Sequence, residues 1–170
     1  MSGCAFILRP TEEPLTIDMV HSELKQTLEK TDPSVLKGKV IVLDPGHGGK
    51  YDGTIGLNGL KEKDVNLGVA LYLWGLLKEA GAKIEMTRSI DKDFHFENSL
   101  APLREDLKNR TDYANSFNPD LFISIHHNAN PQIDRTINRI EMYYRLNDSG
   151  ASLEAAQYIN RHLARNLGIT

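Results

Sequence analysis

Two histidines in this chain stand where a packing role explains little. His47 lies in Asp44-Pro45-Gly46-His47-Gly48-Gly49, where the glycines let the backbone turn sharply and come close to a ligand. His126, followed by His127, comes directly after the apolar run Leu121-Phe122-Ile123-Ser124-Ile125. In open α/β sheets functional groups gather just beyond strand ends, because loops can converge there without disturbing the core. Two imidazoles far apart in the chain can therefore meet. Zinc is held well by two imidazoles and one carboxylate, leaving a fourth position for water, so an acidic partner is the next residue to seek. Glu62 is the candidate: it follows Gly56-Leu57-Asn58-Gly59-Leu60, a loop able to fold it back toward His47, and it precedes a helical pattern. The same position suits a carboxylate that only complements a helix dipole, an effect worth about 0.3–1 kcal/mol. Position alone leaves both readings open.

The elements that must place these residues alternate between strand and helix. Val40-Ile41-Val42-Leu43 is a short continuous apolar run of the kind buried in the middle of a sheet, and Asp44-Pro45-Gly46 stops it. A helix is predicted from about Lys63, with Val65, Val69, Tyr72, Leu76 and Ala80 on one face and Gly81 as its stop. Residues 83–88 read as a strand, 103–117 as a helix closed by Asn118-Pro119, and 121–125 as a second buried strand. A further strand is expected over 139–144, and Ser149 is expected to cap a last helix through Leu167. The alternation predicts an α/β fold, a mostly parallel or mixed central sheet with helices on both faces. Ile17, Val20, Leu24 and Leu28 follow Thr16 at helical spacing, so residues 1–36 are expected to be a leader or docking segment ahead of a domain spanning 37–170. No internal repeat is visible.

Composition narrows the partners. At 170 residues, one domain with one site is the default. A net charge of -3 and a sequence pI of about 6.1 lack the basic footprint that phosphate backbones require, so nucleic acid is not an expected partner. The single cysteine, Cys4, excludes both an intrachain disulfide and a thiolate metal cluster, which leaves histidines and carboxylates as metal donors. The longest apolar run, residues 69–77, is interrupted by Gly75 and is far short of the ~20 residues a membrane-spanning helix needs. No signal peptide is expected in this chain, since no apolar stretch precedes Ser2-Gly3-Cys4.

Three ordered motifs carry a resemblance. Val42-Leu43-Asp44-Pro45-Gly46-His47-Gly48-Gly49, then Gly59-Leu60-Lys61-Glu62-Lys63-Asp64-Val65-Asn66-Leu67, then Ser124-Ile125-His126-His127-Asn128-Ala129 resemble the zinc-dependent N-acetylmuramoyl-L-alanine amidases of the LytC/AmiC type. Thr87-Arg88 and Arg110 with Ala114-Asn115 fit the same pattern, which covers residues 39–144 and weakens through the last helix. The resemblance implies Zn2+ held by His47, Glu62 and His126, with His127 a neighbour in the groove and Asp44 and Asn128 either orienting ligands or substrate or satisfying loop backbone groups. It implies peptidoglycan as substrate, cut between N-acetylmuramic acid and L-alanine, and hence an extracytoplasmic site of action. In the resembled family the general base is a glutamate on a strand beyond the last helix, and no counterpart is expected before Thr170. Glu141 matches an earlier strand of the family and is expected to be a carboxylate near the site rather than that base.

Competing readings remain at this stage. One is a catalytically incomplete amidase-like module that binds peptidoglycan or regulates another hydrolase. Others are a zinc carboxypeptidase or deacetylase acting on related wall groups, or a purely structural metal. Structural zinc normally takes four protein ligands, and the chain offers three. The identity of any regulatory protein partner is not readable.

Overall fold

The computed structural model describes residues 32–94, 100–128 and 139–168. The chain divides into two compact units, Met1–Ala129 and Asn130–Thr170. The helix expected over residues 17–28 lies outside the described residues.

The first unit is built on three parallel strands in the order β2-β1-β3: β1 (Val40–Pro45), β2 (Lys83–Met86) and β3 (Leu121–Ile125). Register runs Ile41 to Ile84 on one side and Ile41 to Leu121 on the other. β1 is central, and its apolar run is accordingly buried on both faces, with Val42 and Leu43 fully enclosed. Because side chains alternate along a strand, Ile41 and Leu43 share one face and Val42 and Asp44 the other. Helix α1 (Glu62–Glu79) covers the first of these faces: Leu73, Trp74 and Leu77 pack on Ile41 and Leu43. Helix α2 (Pro102–Ser116) reaches the opposite face, where Arg110 meets Asp44. The expected α/β sheet with helices on both faces is what the chain forms.

Each predicted boundary has a local cause. The first amides of α1 find no side-chain cap and are instead satisfied by loop carbonyls, Glu62 N–H donating to Thr54 O and Lys63 N–H to Asp52 O. Gly81, at φ 91°, takes the left-handed turn that ends the helix, and an added Cβ there would fall 2.1 Å from the Pro33 carbonyl oxygen. Asn118, at φ 47°, performs the same turn after α2, ahead of Pro119.

Three expectations are corrected. The expected face of α1 holds only in part: Tyr72 and Leu76 pack on the core and Ala80 is buried, but Val69 is 39% exposed, while Leu67, Ala70 and Leu71, outside that face, are buried. The run Val69-Ala70-Leu71-Tyr72-Leu73-Trp74 is apolar almost all round, so periodicity could not select the face that meets the sheet. Residues 139–144 form no strand. β-propensity becomes a strand only where a neighbour completes the ladder, and that stretch has none among the described residues. Helix α3 (Ala151–Leu167), in the second unit, is not capped by Ser149. The Asp148 carboxylate takes that role, accepting from Ser152 N–H at 3.0 Å and Gly150 N–H at 3.2 Å.

The packing of α1 is open to test. Leu71→Ala, at a fully buried position, is expected to cost about 2–5 kcal/mol of unfolding free energy in denaturant titration, whereas Val69→Ala costs under about 1 kcal/mol.

Candidate metal centre

β1 ends at Pro45, and Gly46 N–H still donates to Ile125 O at 2.9 Å before the chain turns away. His47 has φ 63°, a left-handed conformation uncommon for a non-glycine residue and costing on the order of 1–3 kcal/mol unless the surroundings hold it. Those surroundings are three consecutive carbonyls, each held by buried side chains. Pro45 O accepts from Arg88 Nε and Arg110 Nη1, Gly46 O from Arg88 Nη2 and Asn66 Nδ2, and His47 O from Arg110 Nη2 at 2.6 Å. Asp44, at the same strand end, does not touch a histidine. Its Oδ1 accepts from Thr87 Oγ1 at 2.6 Å and Arg110 Nη1 at 2.9 Å, and its Oδ2 from Ser124 Oγ at 2.8 Å. Among the described contacts it reaches His47 through Arg110, whose second carboxylate partner is Asp106 at 2.7 Å.

Glu62 comes back to the same place by way of a folded loop. Residues 51–61 turn through a short 3-10 segment (Leu57–Gly59), closed by Gly56 N–H donating to Leu60 O at 2.8 Å and by the pairing of Ile55 with Lys61. That loop delivers Glu62 as the first residue of α1, only 6% exposed. Glu62 Oε2 accepts from Thr54 N–H at 2.9 Å and Oε1 from His127 N–H at 3.1 Å. Burial pushes this carboxyl up, but the two amides, with His47 and His126, outweigh it and hold the group down at about 2. It is an anion throughout the neutral range.

His126 arrives from the end of β3. Gly46 makes room for it: an added Cβ there would lie 2.2 Å from His126 Cε1. Gly53 does the same for the other two residues, since a Cβ would come within 2.7 Å of both Glu62 Oε2 and His47 Cδ2. His126 Nδ1 is 3.1 Å from Glu62 Oε1, and His47 Nε2 is 3.3 Å from the same oxygen. The two rings meet edge to face, with centroids 4.9 Å apart. One donor atom from each of His47, Glu62 and His126 lies within 4.8 Å of the others.

This donor set fits a divalent metal. Tetrahedral zinc with bonds of about 2.0–2.1 Å sets its ligand atoms roughly 3.3 Å apart, close to the two separations that involve Glu62. Burial, the largest effect on His47, lowers its pKa, opposed by Glu62. A neutral imidazole is the form that binds metal.

His127 points elsewhere: its Nδ1 is 2.7 Å from Asn66 Oδ1, and burial lowers its pKa too. Asn128 follows it at the exposed end of the strand. Glu141 lies in the second unit, where its carboxylate pairs with Arg139 at 2.7 Å and accepts from Tyr143 at 3.3 Å. Sequence reasoning did not assign roles to Arg88, Arg110, Asn66 or Asp106. A polar residue next to an apolar run reads as surface, and no local pattern marks it as buried. Gly46→Ala tests the close approach of loop and ring. It should weaken zinc binding by about tenfold or more, measured against a competing chelator, with the far-ultraviolet circular dichroism of the chain unchanged.

Comparison with known proteins shows which family the chain resembles. The family model for N-acetylmuramoyl-L-alanine amidase (Amidase_3) matches residues 41–170. The germination-specific N-acetylmuramoyl-L-alanine amidase of Bacillus subtilis is 40% identical over 135 residues, 78% of this chain and 55% of that protein. N-acetylmuramoyl-L-alanine amidase LytC of the same organism is 39% identical over 132 residues, 77% of this chain and 24% of LytC. The chain thus spans about half the length, or less, of these curated relatives. Among solved structures, the CwlD amidase of Clostridioides difficile, determined in complex with the GerS lipoprotein, superposes with a TM-score of 0.64 at 29% identity, covering 75% of this chain and 66% of that one. A parallel sheet with His47 and His126 just beyond two of its strand ends and Glu62 beside them at the start of α1, together with a match running from Ile41 to Thr170, places this chain in the N-acetylmuramoyl-L-alanine amidase family.

Proposed function

We propose that this chain carries the zinc site of a hydrolase that cuts the amide between N-acetylmuramic acid and L-alanine in bacterial peptidoglycan, and that it acts outside the cytoplasmic membrane, where that polymer lies. The observation that carries this reading is the convergence of His47, Glu62 and His126 on one point, with donor atoms within 4.8 Å. No helix among the described residues is long and apolar enough to cross a membrane.

His47 through Nε2, His126 through Nδ1 and Glu62 through Oε1 would hold the ion. When bound, zinc polarises an amide carbonyl and lowers the pKa of a water at its open position. The protein's own share is orientation. Thr54 N–H holds one oxygen of Glu62, leaving the other toward the two imidazoles. Arg110 holds the His47 carbonyl and is itself oriented by Asp44 and Asp106. Asn66 donates to Gly46 O and accepts from His127 Nδ1–H, which ties the loop after β1 to the residue that follows His126. Glu141 has no catalytic part in this reading.

Zinc content and peptidoglycan cleavage test the proposal separately. Glu62→Ala, His47→Ala and His126→Ala are each expected to lower bound zinc to well under one ion per chain while the fold is kept. Stem peptides released from purified sacculi should disappear on chelation and return on adding zinc. Release of D-alanine or acetate instead would reassign the bond that is cut, and full zinc content in Glu62→Ala would remove Glu62 from the ligand set.

A further inference from the structure

Arg88 follows β2 by two residues and is 1% exposed. No carboxylate among the described residues forms an ion pair with it. Its hydrogen bonds end on main-chain carbonyls: Nε on Pro45 at 2.9 Å, Nη2 on Gly46 at 3.0 Å and on Lys63 at 2.8 Å, and Nη1 on Ile90 at 3.3 Å. Burial, with Arg110 adding repulsion, pushes the guanidinium down to about 10 against the opposing pull of Asp91, Asp44 and Asp64 at longer range, still far above neutrality. A cation withdrawn from water without a carboxylate costs several kcal/mol, and an apolar side chain of similar volume often serves stability better. What Arg88 holds must therefore explain its presence.

It holds the two chain segments that bear the cluster. Pro45 and Gly46 precede His47 in the loop after β1, and Lys63 follows Glu62 in the first turn of α1. Gly48 lets the loop come close to the Lys92 carbonyl and the Arg88 side chain, since an added Cβ would fall 2.2 Å from Lys92 O and 2.9 Å from Arg88 Cδ and Nε. The planar fork presents its donors at fixed angles, which sets the distance between the acceptors it joins. A lysine ammonium is a point charge on a flexible stem and cannot span both segments with one geometry.

We propose that Arg88 is a positioning residue of the metal centre: by joining the carbonyls of Pro45 and Gly46 to that of Lys63, it sets the separation between His47 and Glu62. It touches neither donor atom. This proposal rests on the zinc reading above and concerns what holds that site in shape.

The test uses the 170-residue chain as parent, Arg88→Lys and Arg88→Met. Zinc affinity is read by chelator competition, ligand geometry by the visible absorption of the cobalt(II)-substituted protein, and fold by denaturant unfolding of the metal-free protein. Arg88→Lys is expected to unfold cooperatively, to bind zinc about 10–100-fold more weakly and to show altered cobalt bands. Arg88→Met is expected to lose zinc affinity to the same degree whether its unfolding midpoint falls or rises, which a purely stabilising role would not produce. Either variant folded, with zinc affinity within about twofold of the parent and unchanged cobalt bands, overturns the proposal and leaves the zinc reading intact. A parent that binds no zinc overturns both.

Discussion

The Glu62 carboxylate is an anion buried at a helix start, and no lysine or arginine among the described residues pairs with it. An ionised group in that position has to be compensated locally or it will take up a proton instead. Here the compensation comes from two backbone amides, those of Thr54 and His127, and from the imidazoles of His47 and His126. These partners arrive from three stretches of chain: Thr54 from the loop before α1, His126 and His127 from the end of β3, and His47 from the end of β1. The anion therefore ties together the three places from which the cluster is drawn.

Around that anion the charges are segregated. Lys63, the neighbour of Glu62, turns away to Asp52, Asp91 and the carbonyl of Gly49. Arg110 is matched by Asp44 and Asp106, and Arg88 by carbonyl dipoles. With its neighbouring cations engaged elsewhere, Glu62 is left facing the two histidines. The same carbonyl contacts hold His47 in its left-handed conformation, so the strain at that residue is borne by the packed network behind it.

Glycines shape the centre as much as charges do. Gly46 admits the His126 ring, Gly48 the Arg88 side chain, and Gly53 both Glu62 and His47. Of these, Gly48 at φ 128° and Gly53 at φ 69° also adopt backbone angles that L side chains rarely take. In Gly46 the requirement is space alone. A glycine-rich loop after a strand announces that something comes close to the backbone, without saying what.

Much of this was legible along the chain. The apolar run of β1, the stops at Gly81 and Asn118-Pro119, and the placement of His47 and His126 at strand ends follow from local periodicity and turn chemistry, which are properties of consecutive residues. So does the alternation that makes the sheet parallel. The face of α1 that packs, the failure of residues 139–144 to pair and the capping of α3 by Asp148 were decided by partners that no local window contains. The choice of Glu62 had the same character: alone it could have been an exposed charge on a helix dipole, and burial against the Thr54 and His127 amides is what gives it another use. Arg88 and Arg110 fit the family pattern in the sequence, but nothing along the chain gave them a role. Their burial, and the carbonyls they hold, arise when distant segments close over them, because the cost of desolvating a cation can be met only by acceptors that tertiary packing supplies.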